Sequence, residues 1–306
     1  MLHHSSMRSK NNKFRVSDPT SQGILLRILA GVMLAGMLAC VKLLSESVPL
    51  GQIVFFRSFF GLIPLIVYLV LLCEFPAGLK TRRPYGHILR SVIGGISMFA
   101  SFAAVARLTV AEATLLSYMS PLFMSLLAVR LMGERMTRSR AAGLFFGLAA
   151  VMVLTLPNIT GDWDAERITG IVLGLTAGLL TALAMLQVRH LTRTENPGAI
   201  AFYFAAIATL GGLATLPLGW VLPTAPELAL LIAAGLFGGL AHLATALSLK
   251  LAEASAIAPF EYITLIWAIL TDLILFGTPI GPAFFLSVPL LLTGVAIATN
   301  GNRRKK

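Results

Sequence analysis

The sequence predicts an all-α polytopic membrane protein, with ten transmembrane helices arranged as two inverted five-helix repeats. Three observations predict it. Of the 306 residues, 57% are hydrophobic and only 12% charged, whereas soluble domains carry about 25% charged residues. The apolar residues gather into ten runs, each near the roughly 20 residues that carry a helix across a bilayer. The second five runs repeat the first.

Residues 1–23 form a polar, basic tail, and the apolar run after it is too long for the core of a typical signal peptide. No cleaved signal is therefore expected. The ten runs cover 24–44, 50–73, 86–106, 110–132 and 138–157, then 168–190, 198–220, 226–249, 253–276 and 281–300. Prolines mark many of the joints, among them Pro49, Pro84, Pro157, Pro197, Pro226 and Pro279. Setting 23–44 over 170–191 aligns Gly, Ile, Leu, Ala-Gly, Ala, Val and the final Leu at an offset of 147, with Lys42 over Arg189. At an offset of 144, Ser117-Tyr118 falls over Glu261-Tyr262, and Met132-Gly133 over Phe276-Gly277. The expected organisation is a tail (1–23), a first repeat (24–157), an external loop (158–167), a second repeat (168–300) and a basic tail (301–306). An odd number of spans per copy inserts the copies in opposite senses. Inverted repeats of this kind mark secondary transporters, whose substrate site lies near the midplane where the halves meet.

The formal net charge of +11 does not point to a nucleic-acid partner, because the basic residues sit in short segments between apolar runs. They set orientation instead. With the N-terminus in the cytoplasm, Lys80, Arg82, Arg83, Arg90, Arg130, Arg135, Arg138, Arg140, Arg189, Arg193, Lys250 and the basic tail all fall inside. Outside fall only Lys42, Arg107 and Arg167, beside Asp162, Asp164 and Glu166. Both termini are expected in the cytoplasm. Cys40 and Cys73 lie in or beside apolar runs and read as packing residues.

The ninth run carries two carboxylates, Glu261 and Asp272, 11 residues apart and thus about 16 Å along one helix face, with Thr264 and Ala268 between them. A charge at mid-bilayer costs at least ~2.5–3.5 kcal/mol and so turns towards a protein interior or a wet cavity. Both read as substrate or proton groups, or else as structural ion pairs with Arg57, Lys42 or His242. Arg57 lies within the second run and shares a face with Gly61, Pro64 and Tyr68. It reads as a substrate contact or as a partner of Glu261. Lys42 ends the first run, as a pathway residue or an outer anchor. The fourth run aligns Thr114, Ser117, Tyr118, Pro121 and Ser125, hydroxyls that orient a solute or glue helices together; Pro121 frees a carbonyl and suggests a hinge. Arg90, aligned with Gly94, Ser97 and Ser101, reads as a cytoplasmic anchor. His242 shares a face with Gly235, Gly238 and Thr245, and titrates near neutrality or serves as a core hydrogen-bonding group. The pairs Gly143/Gly147 and Gly235/Gly239, and the row Gly170/Gly174/Gly178, predict close helix packing within one chain, with a homodimer through the fifth or tenth helix as the alternative.

No nucleotide-binding loop, zinc helix or nucleophile elbow is present, so no cofactor is expected and ATP-driven transport by this chain alone is not. An intramembrane enzyme would need a compact acid–base set, and the carboxylates here are scattered. A receptor or scaffold without flux is the remaining alternative.

Gln52–Arg57 (QIVFFR), Tyr118–Pro121 (YMSP), Met132–Arg135 (MGER), Ala258–Tyr262 (APFEY) and Phe276–Pro279 (FGTP), on ten duplicated spans, resemble the drug/metabolite transporter superfamily, specifically bacterial proteins with two EamA domains. Copy one keeps an acidic residue after its glycine, Glu134, where copy two has Thr278. The resemblance implies inner-membrane export or uptake of a small metabolite, driven by proton exchange or by gradients. It also implies that the fourth and ninth helices line the pathway and that the fifth and tenth are more peripheral. Glu261 and Arg57 together suit a polar or zwitterionic solute, like an amino acid or an adenosyl-methionine, with flavins or other aromatic metabolites as the alternative. Candidate contacts are Glu261, Tyr262, Thr264, Tyr118, Ser117, Ser125, Arg57, His242, Lys42 and Asp272.

Overall fold

Helices begin where the sequence supplies caps. The computed structural model describes residues 19–132, 136–160, 164–192, 194–252, 260 and 262–303. Among these it has eleven α-helices and two short 3-10 turns, with no strand. They are α1 (Pro19–Leu44), α2 (Leu50–Leu71), α3 (Pro84–Arg107), α4 (Val110–Ser117), α5 (Ser120–Met132), α6 (Arg138–Thr160), α7 (Ala165–Leu191), α8 (Pro197–Leu213), α9 (Ala225–Leu251), α10 (Ile263–Leu275) and α11 (Pro282–Arg303). Thr109 and Glu112 close a capping box at the start of α4, as Thr224 and Glu227 do for α9. Asn196 caps α8 through the Gly198 N–H at 2.8 Å, ahead of Pro197 in the first turn.

Eight helical stretches of the described residues are long and apolar enough to cross a membrane, and Ile263–Leu275 and Pro282–Ile297 are shorter apolar helices. The chain is a polytopic all-α membrane protein. Large apolar side chains such as Val67, Phe145, Met152 and Ile274 stand exposed on its outside, where lipid covers them at no desolvation cost.

Two runs differ from their expected form. The fourth breaks in two, because Pro121 has no N–H for the Ser117 carbonyl. The Tyr118 and Met119 N–H groups bond back to Leu115 and Leu116 at 3.1 and 3.0 Å, and the helix restarts at Ser120. In the second copy α10 begins at Ile263, which an offset of 144 places over Met119. The rings of Tyr118 and Tyr262 meet edge to face, centroids 5.5 Å apart, so the break of one copy touches the helix start of the other. The seventh run stops at Leu213 and ends in a 3-10 turn before Gly219, whose φ of 94° is left-handed.

Packing follows the duplication. α1 lies on α9 as α7 lies on α3, while α2 meets α8, α6 meets α11 and α4 meets α10. A Cβ on Gly23 would sit 2.7 Å from the Ala252 side chain, and one on Gly170 would sit 2.8 Å from that of Leu108. These are the same contact made twice, since the partners differ by the repeat offsets of 147 and 144. Direction follows too. Lys42, near the end of α1, donates to the Leu108 carbonyl just past α3, and Leu108 is where Gly170 near the start of α7 packs. Thus α7 starts at the level where α1 ends, and the copies run in opposite senses.

Candidate functional site

The seam between the copies is built by α2, α3, α8 and α9. Gly94 of α3 and Gly238 of α9 are repeat mates, as are Arg57 of α2 and Phe204 of α8. A Cβ on Gly94 would lie 3.0 Å from the Phe204 ring, and one on Gly238 would lie 3.0 Å from Arg57 Nε. Each glycine leaves room for the opposite copy's side chain. One copy fills that room with a guanidinium and the other with an aromatic ring.

Between these four helices lies a cavity of about 590 Å³, within the size range of small-molecule sites. Its walls are mostly apolar, with Leu65 and Leu69 from α2, Ala201 and Ala205 from α8, and Leu243 and Ala246 from α9. Its mouth lies where α2 ends, α8 begins and α9 ends, at Glu74, Asn196 and Lys250 beside the exposed Leu72 and Leu249. Glu74 Oε2 accepts the Asn196 amide at 3.2 Å. The deep end holds Arg57, 6% exposed, and the fully buried Ser58. Beyond it α2 and α8 close: a Cβ on Gly212 would lie 2.6 Å from the Phe55 backbone nitrogen.

Arg57 has poor partners for a buried cation. Its Nε faces the Met37 thioether at 3.5 Å and its Nη2 stands 3.2 Å from His242 Nε2. Arg90 lies 4.0 Å over the Phe204 ring, an interaction of the cation–π kind, while its Nε and Nη1 are buried with no hydrogen-bond partner. Among the described residues no carboxylate pairs with either arginine.

The end of the molecule opposite the mouth is pinned shut. Asp272, fully buried on α10, accepts the Val110 and Ala111 N–H groups at 2.9 and 2.7 Å, capping α4 across the repeats. Lys42 donates to the Leu108 carbonyl and lies 5.6 Å from the Phe276 ring centroid. Arg167 pairs with Glu112, and Arg107 with Glu166 at 2.9 Å.

The sequence candidates therefore separate. Arg57 and His242 line the cavity together. Lys42 and Asp272 belong to the pinned end. Tyr118 and Tyr262 meet at the helix break. Thr264 is buried against Gly31. Ser117 spends its hydroxyl on the Thr114 carbonyl at 2.7 Å, and Ser125 is half-buried on α5 outside the cavity lining. Glu261 lies outside the described residues, as do Glu134 and most of the segment before α10. Sequence reasoning passed over Phe204 and Ser58 and read Arg90 as a cytoplasmic anchor, not as a cavity residue. For Arg90 and Phe204 a signal was present: Phe204 sits 147 residues after Arg57, and Gly94 lies one turn from Arg90.

The EamA-like transporter family matches residues 21–156 and again 168–300. A pseudopaline exporter of Pseudomonas aeruginosa is 30% identical over 256 residues, covering 82% of this chain and 87% of that protein. A riboflavin transporter of Rhizobium johnstonii is 29% identical over 75% of each chain. An S-adenosylmethionine uptake transporter of Rickettsia prowazekii is 26% identical over 74% of each. One crystal structure, 22% identical, superposes over 94% of this chain and 99% of that one with a TM-score of 0.64, so the fold is shared. With both halves matched by the family and about three quarters or more of each relative covered, the chain belongs to the EamA-like transporter family, and it is a drug/metabolite-type transporter rather than an enzyme.

Proposed function

We propose that this transporter moves a small polar or zwitterionic metabolite, amino-acid-like or adenosyl-methionine-like, across the inner membrane by alternating access. The cavity between α2, α3, α8 and α9 carries the solute. One observation supports this most directly: the cavity lies in the seam between two antiparallel copies, is open at one end, and is pinned shut at the other by Asp272 on α4. Rocking the copies about that seam closes one end and opens the other. The excess of Lys and Arg in the loops at the mouth end supports a cytoplasmic mouth and cytoplasmic termini, and in this reading the cavity faces inward.

The relatives carry pseudopaline, riboflavin and S-adenosylmethionine by name, solutes larger than a simple amino acid, and a 590 Å³ cavity has room for that class. Proton coupling in this reading rests on His242 at the cavity and on Glu261, whose carboxylate the sequence places in the ninth span.

Reconstitution into vesicles tests the reading. Screening labelled amino acids, adenosyl-methionine and flavins should find one with saturable flux, and Glu261→Gln should reduce that flux sharply. Wild-type flux in the variant would remove Glu261 from the mechanism. Non-saturable leakage alone would contradict carriage by alternating access.

A further inference from the structure

We propose that the seam cavity is an organic-anion site, in which Arg57 and Arg90 receive the solute's carboxylate and the apolar walls receive its body. The proposal rests on the reading that this cavity holds the transported solute, and it names the chemistry of that solute's head group.

Among the described residues the cavity is lined by three basic side chains, Arg57, Arg90 and Lys250, and by one carboxylate, Glu74, which stands at the mouth and is engaged by Asn196. Away from the mouth, no carboxylate of the described residues lines the cavity. Arg57 is buried with a thioether and an imidazole for company, and Arg90 has two buried nitrogens with no acceptor. A buried guanidinium with no counter-ion is costly, and breaking a buried pair by removing one partner is strongly destabilising. The chain itself offers no anion there among the described residues, so the ligand supplies it. Guanidiniums bind carboxylates through parallel N–H donors, and Arg90, whose Cζ lies 4.0 Å from the Phe204 ring centroid, has Nε and Nη1 without a partner.

A carboxylate fits better than a phosphate. Phosphate sites gather several backbone N–H groups at a helix N-terminus or a nest, and the nearest helix start, at Pro197–Gly198, has its Gly198 N–H taken by Asn196. The leucine and alanine walls exclude a small inorganic ion as the natural occupant and ask for an apolar or planar body. Ser58, whose buried hydroxyl lacks a partner, adds a donor at the deep end.

The test uses purified full-length protein in detergent, with 2-naphthoate and 4-phenylbutyrate as probes. Their neutral amides and inorganic phosphate serve as controls, with binding read by thermal shift and equilibrium dialysis. The carboxylates should bind saturably, the amides about tenfold or more weakly, and phosphate weakly. Arg90→Gln should lose about tenfold in carboxylate affinity while eluting as a monodisperse peak. Arg57→Lys, which keeps the charge, should lose less. Amides binding as well as acids, phosphate competing as strongly as the acids, an unaffected Arg90→Gln, or no binding by either acid would each overturn the proposal. Flux of the same acids into vesicles separates it from the transport reading. Binding without flux leaves the anion site standing and overturns carriage through this cavity. Flux that Arg90→Gln leaves unchanged overturns the site and leaves carriage standing.

Discussion

Asp272 and Arg57 show how differently two charges in apolar helices are accommodated. Asp272 is satisfied by fixed donors, two N–H groups at the start of α4, whereas Arg57 has a sulfur and an imidazole. The first arrangement is satisfied within the chain, and the second is the one we propose receives the solute. Asp272→Ala would leave two buried N–H groups without an acceptor, at about 1–3 kcal/mol each, so thermal melts in detergent should show marked destabilisation. An unshifted melting temperature would mean that Asp272 does not hold this end closed. The sequence made both residues legible as charges out of place, and it gave Asp272 as candidate contact and structural partner alike. Backbone N–H groups 162 and 161 residues away were its partners, and no spacing rule reveals those. Arg90 looked like an anchor because it lies only two turns into α3; that Phe204 stacks on it became visible only once α3 and α8 were packed together.

Helix contacts at the seam are made by small residues because the backbones nearly touch. A Cβ on Gly239 would lie 2.6 Å from the Gly61 carbonyl oxygen, which cannot move aside as a side-chain tip does. Gly239→Val should therefore push α9 off α2 and cost about 1–3 kcal/mol, as overpacking does, measured as lost thermal stability and lost monodispersity. A variant as stable as the parent would show that α2 and α9 are not in contact there. The glycine pairs were legible as packing positions, and they pack within the chain: Gly143 and Gly147 against Gly294, and Gly235 and Gly239 against α2. The sequence suggested a hinge at Pro121, and the structure shows a helix break there. What spacing alone did not reveal is that the two copies bring Tyr118 and Tyr262 together, since that contact depends on the two-fold arrangement.

At the scale of the molecule, the two halves are joined at both ends. At the mouth end, Glu195 of the second half accepts the Arg82 N–H at 3.1 Å and pairs with His87 at 3.2 Å. Burial works against its ionisation, but hydrogen bonds from Thr81, His87 and the Arg82 N–H outweigh it and hold the carboxyl below its usual range. A depressed carboxylate stabilises the folded state above the unfolded value of about 4.3, and that contribution is lost as pH falls through the lower folded value. Glu195→Gln should thus melt below the parent at neutral pH, with the gap closing as pH drops beneath about 4. A gap that persists in acid would deny the carboxylate that role. The duplication and the number of apolar runs were legible because the repeats align in register; the cavity was not, because it forms between helices from opposite copies.

The most direct measurement of the central claim is the accessibility of the cavity from each side. With Cys40 and Cys73 replaced by serine, Ala246→Cys should react with a membrane-impermeant maleimide from the cytoplasmic side of the vesicle and not from the outer side. A saturating transported solute should slow that reaction. Labelling from the outer side in the solute-free protein, or from neither side, would contradict a seam cavity that opens to the cytoplasm.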